Sequence, residues 1–98
     1  MKRVVFHRYA ERELAEAVAY YNKEKPGLGF EFRDEVEQAA RFLSQYPRAA
    51  PLVRPAVRRF VLLRFPYSLL YREVDLASLR VLAVAHQKRD PEYWVSRR

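Results

Sequence analysis

The sequence predicts a single α+β domain, residues 1–98, in which a helical hairpin packs on one face of a four-stranded sheet. Three observations lead there. Apolar residues recur every three or four positions in two stretches between residues 8 and 46. Between residues 57 and 86 they form nearly continuous β-branched and aromatic blocks, and a proline-punctuated segment separates the two patterns. A chain of 98 residues that is 50% hydrophobic and holds only two glycines suits one core rather than a disordered tail or a repeat array.

Val4, Val5 and Phe6 make residues 2–6 a first strand. From residue 8 to 25, Ala10, Leu14, Ala17, Val18 and Tyr21 lie on one helical stripe, and Glu11, Glu13 and Glu16 load its early turns with the charge that the helix dipole favours. Pro26 and Gly27 stop it, because proline cannot continue the helical ladder and glycine accepts left-handed angles. A second helix over 28–46 follows from Leu28, Phe32, Val36, Ala39, Ala40 and Leu43, with Glu31, Asp34, Glu35, Glu37, Gln38 and Arg41 opposite. Pro47, Pro51 and Pro55 make the next segment a loop or a short irregular edge strand. Residues 57–65, 67–74 and 79–86 then read as strands divided by Pro66 and by the polar turn 75–78. They are antiparallel to one another, since a parallel crossover needs about a dozen residues or more. In the tail, 87–98, Asp90 and Pro91 suit the start of one helical turn, and Tyr93 and Trp94 are expected to anchor it against the sheet.

A domain of this size buries roughly 60 to 70% of the surface of its unfolded chain, so its large apolar residues are committed to the core and any site is shallow. The absence of cysteine removes disulfides, thiolate chemistry and cysteine-based zinc sites, and two separate histidines do not make a metal centre. Neither a metal nor another cofactor is expected. No phosphate-binding or dinucleotide glycine pattern is present, and no serine triad can be assembled. No apolar run approaches a membrane span, and the opening MKRVVFHRYAE is not a signal peptide, so a cytoplasmic location with no membrane partner is expected.

The net charge of +7 resides in the second half: residues 1–46 carry eight basic and eight acidic side chains, residues 47–98 eleven and four. Fifteen of the nineteen basic residues are arginine, whose planar fork suits phosphate and carboxylate, so a polyanion or an acidic protein segment is the expected partner. The candidates form a cationic and aromatic constellation: Arg58, Arg59, Arg64, Tyr71, Arg72, Arg80, His86, Lys88, Arg89, Tyr93, Trp94, Arg97 and Arg98. Strand alternation puts Arg59 and Arg64 on opposite faces, and Arg58 and Arg64 on one face with the core-like Phe60 and Leu62 between them. One of that second pair must therefore end at the sheet margin. His86 closes the last strand beside Lys88 and Arg89, where it can serve as a base, or simply bond to a backbone carbonyl or pack under the tail. Tyr71 is read as a core tyrosine.

The order of elements and the segments FPYSLLYREV, LRVLAVAH and HQKRDPEYWVSR resemble the RelE/ParE superfamily of type II toxin–antitoxin toxins, especially its ParE-like plasmid-stabilisation members. The likeness runs through AERELAEAVAYYN, the glycine break GLGFEF and the helix end LSQYP to the closing His86, Arg89, Pro91, Tyr93, Trp94 and Arg97. It implies a toxin held inactive by a cognate antitoxin. RelE-like members cut messenger RNA on the ribosome through the ribose 2′-hydroxyl; ParE-like members poison DNA gyrase and lack that catalytic set. In the ribonuclease case the resemblance implies His86 as base, Arg64 and Arg89 against the phosphorane, and Tyr93 at the leaving oxygen, with Arg58, Arg59, Lys88, Trp94, Arg97 and Arg98 left to bind target or nucleic acid. The cutting branch places lysines around the start of the sheet. This chain has none between Lys25 and Lys88, which favours the ParE-like reading. A non-toxic nucleic-acid-binding module, or an inactive toxin-like scaffold, would use the same basic surface.

Overall fold

The computed structural model describes residues 1–98. Its elements are β1 (Arg3–Phe6), α1 (Arg8–Glu24), α2 (Leu28–Gln45), β2 (Leu52–Arg54), β3 (Val57–Val61), β4 (Tyr67–Glu73) and β5 (Ser78–His86). The sheet runs β1-β5-β4-β3-β2; β1 lies parallel to β5 and every other pair is antiparallel. The α+β class and the helical hairpin agree with the sequence reading, and the helix bounds agree to within one residue.

Two features differ from the expectation, and the sequence reading left a third, the pairing of β1, open. The sheet has five strands, not four, because the proline segment supplies β2. With prolines on both sides, this three-residue strand takes the outer edge, where a missing N–H breaks no ladder. The strand expected over 57–65 stops at Val61. The backbone N–H groups of Leu63 and Arg64 turn instead to the Glu35 Oε2 of α2, at 2.9 and 3.2 Å, so a side chain takes donors that a longer strand would have spent on β4. Finally, β1 joins in parallel beyond β5, with the rest of the chain as its long crossover.

The two glycines serve different purposes. Gly27 has φ 91°, left-handed backbone that closes α1 and opens α2. Gly29 is where the helices touch: a Cβ there would lie 2.1 Å from the Val18 carbonyl oxygen, and its N–H donates to Asn22 Oδ1 at 2.7 Å.

Two apolar layers flank the sheet. On the helix side, Phe32, Val36 and Leu43 of α2 and Ala10 and Ala17 of α1 bury against Leu69, Tyr71, Leu79, Val81 and Val84, with Leu14 and Val18 half-buried alongside. On the other side Val57, Leu70, Leu82, Ala83 and Ala85 pack under Trp94. A bulge links the layers: Leu70 pairs with Ala83 but Tyr71 with Val81, so Leu82 is an extra residue, and Leu82 and Ala83 both join the tail-side layer. Cover on both faces explains why β5 reads as an almost unbroken apolar run.

Candidate target-binding cleft beneath the tail

Backbone hydrogen bonds from Gln87 to the Pro66 carbonyl and from Arg89 to the His86 carbonyl turn the chain back at the end of β5. Asp90 Oδ1 then accepts from the Glu92 N–H at 2.9 Å, and Tyr93, Val95 and Arg97 each donate to the carbonyl three residues earlier. The expected helical turn is thus a run of tight turns capped by Asp90. It drives Trp94, 3% exposed, onto the sheet.

Three polar contacts fasten this tail. Arg97 holds Glu13 of α1 with a two-pronged grip, Nη1 to Oε1 at 3.0 Å and Nη2 to Oε2 at 2.9 Å. Its Nη1 also donates to the Leu82 carbonyl, while Glu13 Oε1 accepts from the Val84 N–H. The pair thereby covers the edge of β5 beyond the reach of β1, where backbone groups would otherwise lack partners. Arg54 pairs with Glu92, and Arg80 Nη1 donates to the Arg98 carbonyl at 2.8 Å.

Between tail and sheet lies a cleft of about 250 Å³, floored by Ser68, Leu70 and Ala85 and walled by Arg59, His86, Arg89, Tyr93 and Trp94. Arg59 enters from β3, opposite Leu70. Arg89 stacks on the Tyr93 ring, its guanidinium carbon 3.9 Å from the ring centroid. Neither arginine is in an ion pair, so both guanidinium groups are free for an anion.

The four residues proposed for ribonuclease chemistry are not assembled here. Arg64 lies on the other side of the molecule, in the loop after β3, and pairs with Glu31 of α2 at 2.7 Å. That hydrogen bond holds the Glu31 carboxyl below and the Arg64 guanidinium above their ordinary values. His86 does line the cleft, against the edge of Tyr67, and its Nδ1 accepts the Lys88 backbone N–H at 3.0 Å. A neutral imidazole bonded this way carries its proton on Nε2, which makes that nitrogen a donor rather than a base. Tyr93 contributes its ring but not its hydroxyl, which is buried beside Glu13. Burial first, then the Glu13 carboxylate, push this phenol well above its ordinary value.

Of the residues proposed to bind target, Arg59 lines the cleft; Lys88 and Arg98 are exposed but do not line it, and Arg98 is held by Arg80, six residues along β5 from His86. Arg58 belongs to the helix side, where Nη1 donates to the Ala50 carbonyl at 2.8 Å, on a strand paired on both sides; of Arg58 and Arg64, it is Arg64 that leaves the sheet. Arg97 is spent on Glu13, and Trp94 is core. Tyr71 is likewise core, its hydroxyl donating to the Pro47 carbonyl. Sequence reasoning missed Glu13, whose position on α1 was read only as dipole charge. Nothing local separates it from Glu11 or Glu16.

With this geometry, the fold is that of toxins from type II toxin–antitoxin modules. It superposes on a solved structure described as the chromosomal ParDE TA system from P. aeruginosa with a TM-score of 0.75 at 22% identity, covering 88% of this chain and 96% of that one. Residues 4–91 match the family described as ParE toxin of type II toxin-antitoxin system, parDE, and the chain belongs to that family. No curated protein matches it. No helix is long and apolar enough to cross a membrane.

Proposed function

We propose that this ParE-family toxin is neutralised by a cognate antitoxin and inhibits growth by acting on DNA gyrase rather than by cutting messenger RNA. The observation that carries this reading is a cleft with two unpaired arginines and no proton-transfer set. Cleavage through a 2′-hydroxyl requires a free base lone pair and an acid within reach of the leaving oxygen. The His86 Nδ1 lone pair is occupied, the Tyr93 hydroxyl is buried, and Arg64 is on the far side. What remains is a recognition surface: Arg59 and Arg89 present forks to carboxylate or phosphate against an apolar floor.

The test is a supercoiling assay with purified gyrase beside a ribosome-dependent cleavage assay. His86→Ala is expected to keep full inhibition of gyrase, and Arg59→Ala with Arg89→Ala to weaken it by about tenfold or more. Message cut by the wild type and spared by His86→Ala would overturn the proposal.

A further inference from the structure

The sheet face under Trp94 continues past that ring toward the 75–78 turn, and there it carries arginines instead of apolar side chains. Leu70 lies in the layer beneath Trp94, so alternation along β4 turns Arg72 to the same side. Its register partner on β5 is Arg80. On β1, Val4 and Phe6 pack on the helix side, which turns Arg3 and Val5 to the tail side, Val5 beside Arg80 and Arg3 beside Ser78. Three neighbouring strands thus present a row of guanidinium groups about 10 Å across. Arg8 follows at the start of α1, over the exposed ring of Tyr9 at 4.9 Å.

The fold does not neutralise this row. Like charges directly opposite on paired strands destabilise a sheet, and Arg72 and Arg80 are direct partners. Neither they nor Arg3 nor Arg8 is in an ion pair, and Arg80 spends only Nη1, on the Arg98 carbonyl. Asp75, in the turn below, commits its Oδ1 to the N–H groups of Ala77 and Ser78 and to the Ser78 hydroxyl. Glu73 faces the helix side, with Lys2 and Arg48. Burial, then the charges of Arg97, Arg8 and Arg80, hold the His7 imidazole below its ordinary value, so the positive field reaches from the row to the start of α1. An arriving anion relieves the repulsion that the sheet otherwise bears.

A tightly held protein segment needs apolar or aromatic anchors, and an unpaired nucleic-acid strand needs rings on which its bases stack. The strand positions among these arginines are Val5 and Ser78, which supply neither. A duplex needs neither, because it brings about one charge per 1.7 Å of axis to an open surface. We infer that Arg3, Arg72, Arg80 and Arg8 form a second site, which holds the phosphate backbone of duplex DNA. This rests on the gyrase reading and extends it. The row lies about 20 Å along β5 from His86 and shares a sheet face with the Arg59–Arg89 cleft, so the approach that seats the cleft on gyrase brings the row against DNA that the enzyme carries.

Fluorescence anisotropy with a labelled DNA duplex of about 20 base pairs tests the site on the protein alone, which is expected to bind saturably and to lose affinity steeply between about 50 and 200 mM salt. Arg3→Gln with Arg72→Gln should lower the affinity about tenfold and reduce the slope of log affinity against log salt by about 2. The unfolding temperature of that pair should be no lower than that of the wild type, since one arginine of a repelling couple is gone. Arg33→Gln with Arg41→Gln removes the same charge from the exposed side of α2 and should leave the affinity within about twofold. Equal losses in the two pairs, no saturable binding, or tighter binding of the matching RNA duplex or single strand would overturn the inference. A supercoiling assay separates it from the reading on which it rests. If the wild type inhibits gyrase but binds no duplex, the site fails and the target reading stands. If it binds the duplex through this row and leaves gyrase untouched, the target reading fails and the site stands.

Discussion

Replacing Arg97 by alanine tests how the tail is held. The guanidinium makes two bonds to Glu13 and one to the Leu82 carbonyl, with side chains only 12% and 11% exposed. Removing one partner of a buried pair costs about 3 to 5 kcal/mol, because the surviving charge is stranded. Glu13 keeps one donor, the Val84 N–H, and some contact with water, which places the expected loss near the lower end, about 3 kcal/mol. At 4 to 8 °C per kcal/mol for a domain of this size, the unfolding temperature should fall by about 12 to 24 °C. Trp94 is the only tryptophan, so its fluorescence reports the tail directly. Its emission should shift to longer wavelength in Arg97→Ala at temperatures where the far-ultraviolet circular dichroism is still native. A double-mutant cycle with Glu13→Gln should return a coupling above about 1 kcal/mol. A fall of less than about 4 °C with unchanged emission, or strictly additive effects, would refute the view that this pair seals β5.

Leu43 is fully buried between α2 and the sheet, and Leu43→Ala should cost about 2 to 5 kcal/mol in urea titration; a cost below about 1 would mean that the site is not packed as described. The two glycines should separate: Gly29→Ala drives a methyl into the Val18 carbonyl and should cost about 3 kcal/mol or more, whereas Gly27→Ala meets no atom and should cost about 1 to 2, from its left-handed backbone alone. His7 caps α1 by accepting the Tyr9 N–H on Nδ1, and burial, followed by Arg97, Arg8 and Arg80, holds its imidazole below the ordinary 6.5. The folded protein then binds fewer protons than the unfolded chain, so this contribution is complete above about pH 6.5 and is lost as pH falls through the folded value. His7→Asn keeps a capping acceptor and should flatten the slope of stability against pH in that window; an unchanged slope would assign it to other groups.

Both helices were legible because their apolar residues repeat over four or more turns and Pro26 with Gly27 divides them. β2 was legible only as one of two alternatives, loop or short edge strand, and the early end of β3 was not, because it depends on a partner far along the chain: Glu35 takes the Leu63 and Arg64 N–H groups from 28 and 29 residues away. Arg59 and Arg64 lie on opposite sides, as alternation predicts, but Arg64 reaches its side from the loop after β3, held by Glu31, and not from a strand position. The fates of His86 and Tyr93 rest on single atoms, an Nδ1 turned to backbone and a hydroxyl turned inward, and residue type does not encode these. The same holds for Glu13 and Arg97, which meet across 84 residues.

That last separation governs when the molecule can exist. β1 is made first, yet its only strand partner is β5, and Lys2 donates to a carbonyl 73 residues away. The tail that covers the second face follows β5 in the chain. Synthesis proceeds from the amino terminus at about 5 to 20 residues per second, and contacts between distant parts of a chain form slowly. A growing chain therefore has no closed sheet to offer until β5 is free, and no cover for its second face until Trp94 follows. A chain that ends before Trp94 leaves Leu70, Leu82, Ala83 and Ala85 uncovered and Glu13 without its arginine.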